Sequence, residues 1–192
     1  MLSPDFQQDI EPSLTVLQQG GLLLYPTDTI WGIGCDATNP GAVGKVFRLK
    51  QRAETKSLIV LMADKRDILK YTSQPDLRIF DFLDTVTRPT TVIYEGAMGL
   101  ASNLVSDDGT VAIRLVNDPF CRWLIKRFRK PIVSTSANIS GEPAPANFSA
   151  IDPAIKTGAD YIVRHRQEDS EARQPSAIVR WNQDGSHTVI RP

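Results

Sequence analysis

Apolar positions along this chain recur at helical spacing in some stretches and run without a break in others, and the alternation between the two marks out the elements. Ile10, Leu14 and Leu17 make a three-and-four stripe that predicts a helix over residues 3–20. Ser3-Pro4 suits its N-cap and first turn, Gly20-Gly21 stops it, and Pro12 is expected to break or kink it. The apolar run at residues 22–25 predicts a short buried strand. Pro26 ends that strand, having no N–H to give to a ladder. A polar loop follows, Thr27-Asp28-Thr29, then Trp31 and two glycines, Gly32 and Gly34, which are expected to let the chain turn. Asn39-Pro40 opens a second helix with Val43, Val46 and Phe47 on one face, ending in the cationic run Arg48-Leu49-Lys50-Gln51-Arg52.

The same pattern continues to the C-terminus. Residues 58–62 read as a strand, 64–71 as a helical segment, and 75–86 as an amphipathic helix with Leu77, Phe80 and Leu83 in register. Residues 90–94 are β-branched and aromatic enough for a strand, 96–109 form a surface loop, and 110–115 form a strand with Arg114 near its end. Asn117-Asp118-Pro119 starts a helix through Phe128, whose outer face carries Arg122, Lys126, Arg127, Arg129 and Lys130. A short strand at 132–133 runs into Ser134-Thr-Ser-Ala-Asn138, and a weak helix (150–157) and a strand (161–163) follow. A polar loop spans 164–174, and a hairpin of residues 176–181 and 188–191 closes over Asp184-Gly185. There is no repeat and no linker. The sum is an α/β fold with a mixed sheet, one domain over residues 1–192.

Composition narrows the function classes. The chain has 192 residues, 41% of them hydrophobic and 23% charged, enough for a core without staples. No apolar run approaches the ~20 residues of a membrane span, and the N-terminus lacks the basic-then-apolar pattern of a secretory signal. Cys35 and Cys121 alone make no disulfide framework, so a reducing cytoplasm is the simpler expectation. Lys+Arg 22 against Asp+Glu 22 leaves no basic surplus for generic nucleic-acid binding, though a local basic site stays open. His165, His187 and the cysteines are too scattered to forecast a metal cluster.

Several motifs fail on context. Gly32-Ile-Gly-Cys-Asp-Ala37 fits the dinucleotide fingerprint, with Asp64 where a ribose-binding acid would stand, but Pro26 to Trp31 separates the first glycine from its strand. No P-loop sequence occurs, and no nucleophile elbow surrounds Ser134 or Ser136. The cysteines read as small buried apolar side chains. The cations Arg48, Lys50, Arg52 and Lys56 are, on the bland reading, a solvated complement to a helix dipole. On the functional reading, strand-end loops bring them together with the opening loop, Arg114 and Ser134–Asn138 in one crevice. That set suits a polyanion with extra hydrogen-bonding groups, either a nucleotide triphosphate or an RNA backbone.

Four motifs in order, Tyr25-Pro-Thr-Asp-Thr-Ile-Trp-Gly-Ile-Gly34, Lys50-Gln-Arg52, Thr110-Val-Ala-Ile-Arg114 and Ser134-Thr-Ser-Ala-Asn138-Ile-Ser-Gly141, resemble the YrdC family, whose members are threonylcarbamoyl-AMP synthases. The resemblance runs from about Gly21 to Arg191. It implies an open, twisted mixed sheet with flanking helices around a basic concave site. It implies a nucleotidyltransferase that joins L-threonine, bicarbonate and ATP into threonylcarbamoyl-adenylate, releasing pyrophosphate, with Mg²⁺ on the phosphates. A separate transferase complex would then use the product for tRNA threonylcarbamoyladenosine modification. By position, Thr29, Arg114 and Ser176 would contact threonine. Arg52, Lys56, Thr110, Ser134, Ser136, Asn138 and Arg191 would contact ATP, and Lys50 with Arg52 would be catalytic. The chain departs from the family pattern at Val86-Thr-Arg-Pro-Thr-Thr91, at Leu61 where some members have a threonine-contacting His, and at Ala144 where some have Ser. Two other readings share the fold: a tRNA- or double-stranded-RNA-binding module, and a related carbamoyl-transfer enzyme. The 164–174 loop is the candidate lid.

Overall fold

The computed structural model describes residues 4–53, 57–73, 75–182 and 184–192. The elements, in chain order, are α1 (Pro4–Gln18), β1 (Leu23–Tyr25), β2 (Gly32–Gly34), α2 (Pro40–Leu49), β3 (Ile59–Met62), α3 (Lys65–Ile68), α4 (Arg78–Thr85) and β4 (Thr90–Tyr94). After a 3-10 turn at Ser102–Leu104 come β5 (Val111–Leu115), α5 (Pro119–Phe128), β6 (Ile132–Ser136), α6 (Pro153–Gly158), β7 (Tyr161–Ile162), β8 (Ala177–Trp181) and β9 (His187–Arg191). The strands form one nine-stranded sheet in the order β7-β1-β2-β6-β3-β5-β4-β8-β9. The β1–β7, β3–β5 and β4–β8 pairs are parallel and the others antiparallel. The mixed α/β sheet read from the sequence is therefore the fold observed. Among the described residues no helix is long and apolar enough to cross a membrane.

Strand side chains alternate between two faces, and the two faces are covered differently. On one, Leu24, Ile33, Val60, Val92, Ile113 and Val133 pack in a continuous core with Val43, Val46 and Phe47 of α2. On the other, Leu23, Tyr25, Leu61 and Ile132 pack beneath Phe6, Ile10, Leu14 and Leu17 of α1 and Phe120 and Leu124 of α5. The helix termini follow local rules. Asn39, Asp118 and Asp152 cap α2, α5 and α6, each side chain accepting a main-chain N–H of the first turn, and each is followed by Pro.

Three elements differ from the sequence reading. Helix α1 continues through Pro12. Gln8, whose carbonyl proline leaves without its helical N–H, is exposed to water, while the Ile10–Leu14–Leu17 stripe stays buried on the other side. Leu77 is exposed (61%), standing at the N-cap of α4 ahead of its first turn, and Ile79 is the buried residue instead. Gly32 and Gly34 are strand residues, not a turn. A side chain at Gly34 would run into the carbonyl oxygen of Val133 and the ring of Tyr25, and one at Gly32 would stand 3.0 Å from Ser134 Oγ. Glycine serves close approach here, which is why β-propensity does not find β2.

Candidate active site

The second face of the sheet is bare beyond α1 and α5, and a cavity of about 730 Å³ lies on it. Strand register sets its floor in two rows. Ser134 pairs with Ile59, Ile59 with Ala112, and Ala112 with Ile93. Two residues along, Arg114 lies between Leu61 and Thr91, and Thr91 pairs with Ile178, which pairs with Arg191. Much of the lining thus comes from the middle of strands, which corrects the expectation of a crevice at strand-end loops. A sheet face needs only alternation and register to present such a set.

One end of the cavity is a hydrogen-bonded chain of hydroxyls. Arg114 Nη1 donates to Thr29 Oγ1 at 3.1 Å, and the Thr29 N–H donates to Thr27 Oγ1 at 3.0 Å. Thr27 Oγ1 has one hydrogen, and it goes to the carbonyl of Ile30 at 2.9 Å. The 2.9 Å contact between the two hydroxyls is therefore donated by Thr29. Thr29 is left offering a lone pair to a ligand, and no proton. Arg114 is 3% exposed, with Nη2 3.2 Å from Asp28 Oδ1; Asp28 Oδ2 accepts the N–H of Asn117 at 3.0 Å. Among the described residues the buried Nε and Nη2 of Arg114 have no hydrogen-bond partner. Beside it, Thr91 and Ser176 share a 2.8 Å hydroxyl contact, and Arg191 Nε and Nη2 donate to the Ser176 carbonyl at 3.0 and 2.8 Å.

The other end is built by the exit from α2. Gln51 takes a left-handed backbone (φ 50°), the Gln51 N–H bonds to Arg48 O and the Arg52 N–H to Phe47 O. This turn separates the neighbouring cations. Arg52 faces the cavity and donates through Nη2 to the Ser57 carbonyl at 2.9 Å. Lys50 points inward, 1% exposed, its ammonium donating to the carbonyls of Ser136 and of Asn138, the latter at 2.6 Å. Burial and, next, the charge of Arg52 lower the Lys50 pKa to about 8. Lys50, expected to be catalytic, thus stands behind the cavity wall and is absent from its lining. It positions the Ser136–Asn138 segment. Lys56 lies outside the described residues.

Burial also pulls down the pKa of Arg52, and burial followed by the nearby charge of Arg114 does the same to Arg191. Asn138 Nδ2 donates to Ile139 O and Glu142 O, and its buried Oδ1 has no partner among the described residues. Asp108 Oδ1 accepts from both N and Oγ1 of Thr110. The two ends of the floor are cationic, while the rim carries Asp107, Asp108 and Glu142. Among the described residues no group of three or more His, Cys, Asp or Glu is placed to hold a metal ion. Both cysteines are buried and burial pushes both thiols up, so neither is a thiolate nucleophile.

Thr29, Arg52, Thr110, Arg114, Ser134, Ser136, Asn138, Ser176 and Arg191 all line the one cavity. Sequence reasoning did not assign Asp28, which braces Arg114, or Thr91, which braces Ser176. The Thr-Asp-Thr triplet is a signal for the first. Thr91 closes the Val86–Thr91 segment, whose last residue keeps the family's Thr. Leu61 is buried under α1 and α5, and Ala144 is on the cavity lining.

A protein-family profile covering Sua5, YciO and YrdC, described as "Telomere recombination", matches residues 15–192. A protein of Vibrio parahaemolyticus named threonylcarbamoyl-AMP synthase is 33% identical over 174 residues, 88% of this chain and 92% of its own. One of the same name from Pseudoalteromonas translucida is 34% identical over 139 residues, 71% of this chain and 74% of its own. The crystal structure of P. abyssi Sua5 complexed with L-threonine has the same fold, with a TM-score of 0.84 over 96% of this chain at 20% identity; the chain spans 54% of that protein's length.

Proposed function

The chain belongs to the Sua5/YciO/YrdC family, and from that premise we propose that it is a threonylcarbamoyl-AMP synthase acting on L-threonine, bicarbonate and ATP. The observation that carries this reading is the convergence of Arg52, Arg114 and Arg191 on one cavity, with the Arg114 Nε unmatched and burial working against the charges of Arg52 and Arg191. Burial disfavours a cation's charge, and a bound anion offsets that cost. A carboxylate suits the buried Arg114, and a polyphosphate suits Arg52 and Arg191, whose guanidinium groups face the cavity. Thr29, with a lone pair to give, accepts a proton donor of the amino acid, its hydroxyl or its amine.

In the reaction, the threonine amine adds to bicarbonate with loss of water. A carbamate oxygen then bonds to the α-phosphorus as the bond to the leaving pyrophosphate breaks. Reactants and leaving group are anionic, so the chain's contribution is alignment and charge neutralisation by groups already fixed in place. Mg²⁺, when bound, adds charge on the phosphate oxygens. With no protein cage among the described residues it fits as a companion of ATP, near the rim carboxylates Asp107 and Glu142. The adenylate is a reactive mixed anhydride, so a transferase must consume it, here for tRNA threonylcarbamoyladenosine modification in the cytoplasm. The RNA-binding reading is disfavoured by the rim, where Asp107, Asp108 and Glu142 would face a phosphate backbone.

Pyrophosphate release from ATP, with L-threonine and bicarbonate omitted in turn, tests the proposal. Release is expected to require both, and release that ignores either would sink it. Dependence on bicarbonate with a different acceptor would select the related carbamoyl-transfer enzyme. Arg52→Ala is expected to abolish release with the circular dichroism spectrum unchanged.

A further inference from the structure

The 164–174 segment is a polar loop in sequence, yet its first half is tied into the molecule. Asp9, fully buried on α1, accepts the N–H groups of Arg164 and His165 at 3.0 Å each and the Tyr161 hydroxyl at 2.7 Å. The next residue, Arg166, adopts a left-handed backbone (φ 67°), a strain that an L-residue holds only where side-chain contacts offset it. Those contacts are present. Arg166 Nη1 donates to the main-chain oxygen of Thr27 at 3.0 Å and to Asp118 Oδ2 at 3.1 Å, and Nε donates to Asp169 Oδ2 at 3.2 Å.

The back of the opening loop has two further ties. The Cys121 thiol donates to the Pro26 carbonyl at 3.3 Å, and the Asn117 N–H donates to Asp28. Both come from the start of α5. The Thr27 carbonyl, between them, takes its bond from Arg166, which is anchored to the same helix through Asp118, the N-cap of α5. Thr27 in turn fixes Thr29 through its main-chain N–H and hydroxyl. Arg166 is absent from the lining of the large cavity and lines a small crevice behind Thr27 and Thr29.

We propose that Arg166 is a positioning residue for the amino-acid end of the active site, acting through Thr27 on Thr29, so that its loss weakens L-threonine and spares ATP. This rests on the synthase reading above. The path is short and one-sided: no bond of Arg166 leads to Arg52, Asn138 or Thr110 at the nucleotide end.

The test is steady-state pyrophosphate release by wild type, Arg166→Gln and Arg166→Lys, with each substrate varied at saturation of the others, alongside thermal melting. Glutamine loses the charge and the reach of the guanidinium, whose Nη1 alone bonds both the Thr27 carbonyl and Asp118. Arg166→Gln is expected to raise KM for L-threonine about tenfold, the worth of one charge-assisted hydrogen bond, with KM for ATP changed less than about twofold. Arg166→Lys should recover part of the loss. An unchanged threonine KM overturns the proposal. So does a rise in both KM values together with a lower melting temperature, the mark of a merely structural role. Should Arg166→Gln not fold, the same two criteria apply to Arg166→Lys. Wild-type release that is indifferent to threonine refutes the synthase reading instead, and is read from a different sample.

Discussion

Replacing Lys50 by methionine separates a residue that acts on phosphates from one that holds the wall behind them. Two terms oppose each other at its ammonium. Each bond to a carbonyl from a charged donor contributes about 1.5–3 kcal/mol, and there are bonds to Ser136 and to Asn138. Against this, holding the ammonium in a site that lowers its pKa from 10.5 to about 8 costs about 3 kcal/mol. Methionine fills the same channel without either term, so Lys50→Met is expected to lose only about 1–2 kcal/mol of stability. The carbonyls of Ser136 and Asn138 would lose their shared clamp, and the segment carrying the unmatched Asn138 Oδ1 would loosen. KM for ATP should therefore rise about tenfold while kcat falls less than that, against a kcat loss of about 10²–10³ for a group that stabilises the reacting phosphates directly. A hundredfold fall in kcat at unchanged KM would refute the positioning role. The pH dependence gives a second check. The folded pKa lies below the unfolded value, so between about pH 8 and 10.5 the unfolded chain keeps a proton that the native state has released. The burial penalty is fully present below about pH 8 and is relieved above it. Wild type should gain stability over Lys50→Met between about pH 7 and about pH 9.5. A constant difference in melting temperature would contradict the assignment.

Three further outcomes follow from backbone geometry. Gly34→Ala places a methyl against the Val133 carbonyl and the Tyr25 ring, and is expected to cost about 1–3 kcal/mol, seen as a melting temperature lower by several degrees; an unchanged melt would mean β2 can move away from β6. Gln51→Gly relieves a left-handed residue at the end of α2 and should raise stability by about 0.5–1 kcal/mol by denaturant titration, with lost stability counting against the turn assignment. Limited proteolysis should cut at the exposed Glu171 and spare the anchored peptide bonds around His165. Cutting that ATP plus L-threonine leaves unchanged would argue against any lid function of this loop.

The sequence was most informative where one local rule decided the outcome. Asn39-Pro40 and Asp118-Pro119 read as helix starts because a cap needs only a side-chain oxygen and the following N–H groups, and both are caps in the structure. The residues lining the cavity were legible because ordered motifs carry strands and turns together. What stayed hidden depends on partners distant in the chain. Gly34 is glycine because Val133 and Tyr25 crowd it, and nothing within β2 announces that. Lys50 and Arg52 look equivalent in sequence, and a single left-handed residue between them sends one into the wall and the other into the cavity. Arg166 sits in a stretch with neither periodicity nor motif, so its contact with Thr27, 139 positions away, leaves no trace in local pattern.

The way the second sheet face is covered bears on how one cavity serves two unlike substrates. Helices α1 and α5 stop over Leu61 and Ile132, so Ile59, farther along β3, and its β5 partner Ala112 are left to line the cavity. Between the threonine end and the Arg52 end the floor is thus a strip of small and branched apolar side chains with no charge of its own. Such a strip can bury the uncharged body of a ligand whose charged ends reach the cations. Strand pairing fixes Arg114 beside Thr91, and Thr91 holds Ser176, so sheet register sets this part of the floor, while Thr29 and Arg52 come from loops at either end. That is a geometry for bringing a carbamate oxygen to one phosphorus with little reorganisation, and it places the remaining freedom of the site in the loop held by Arg166.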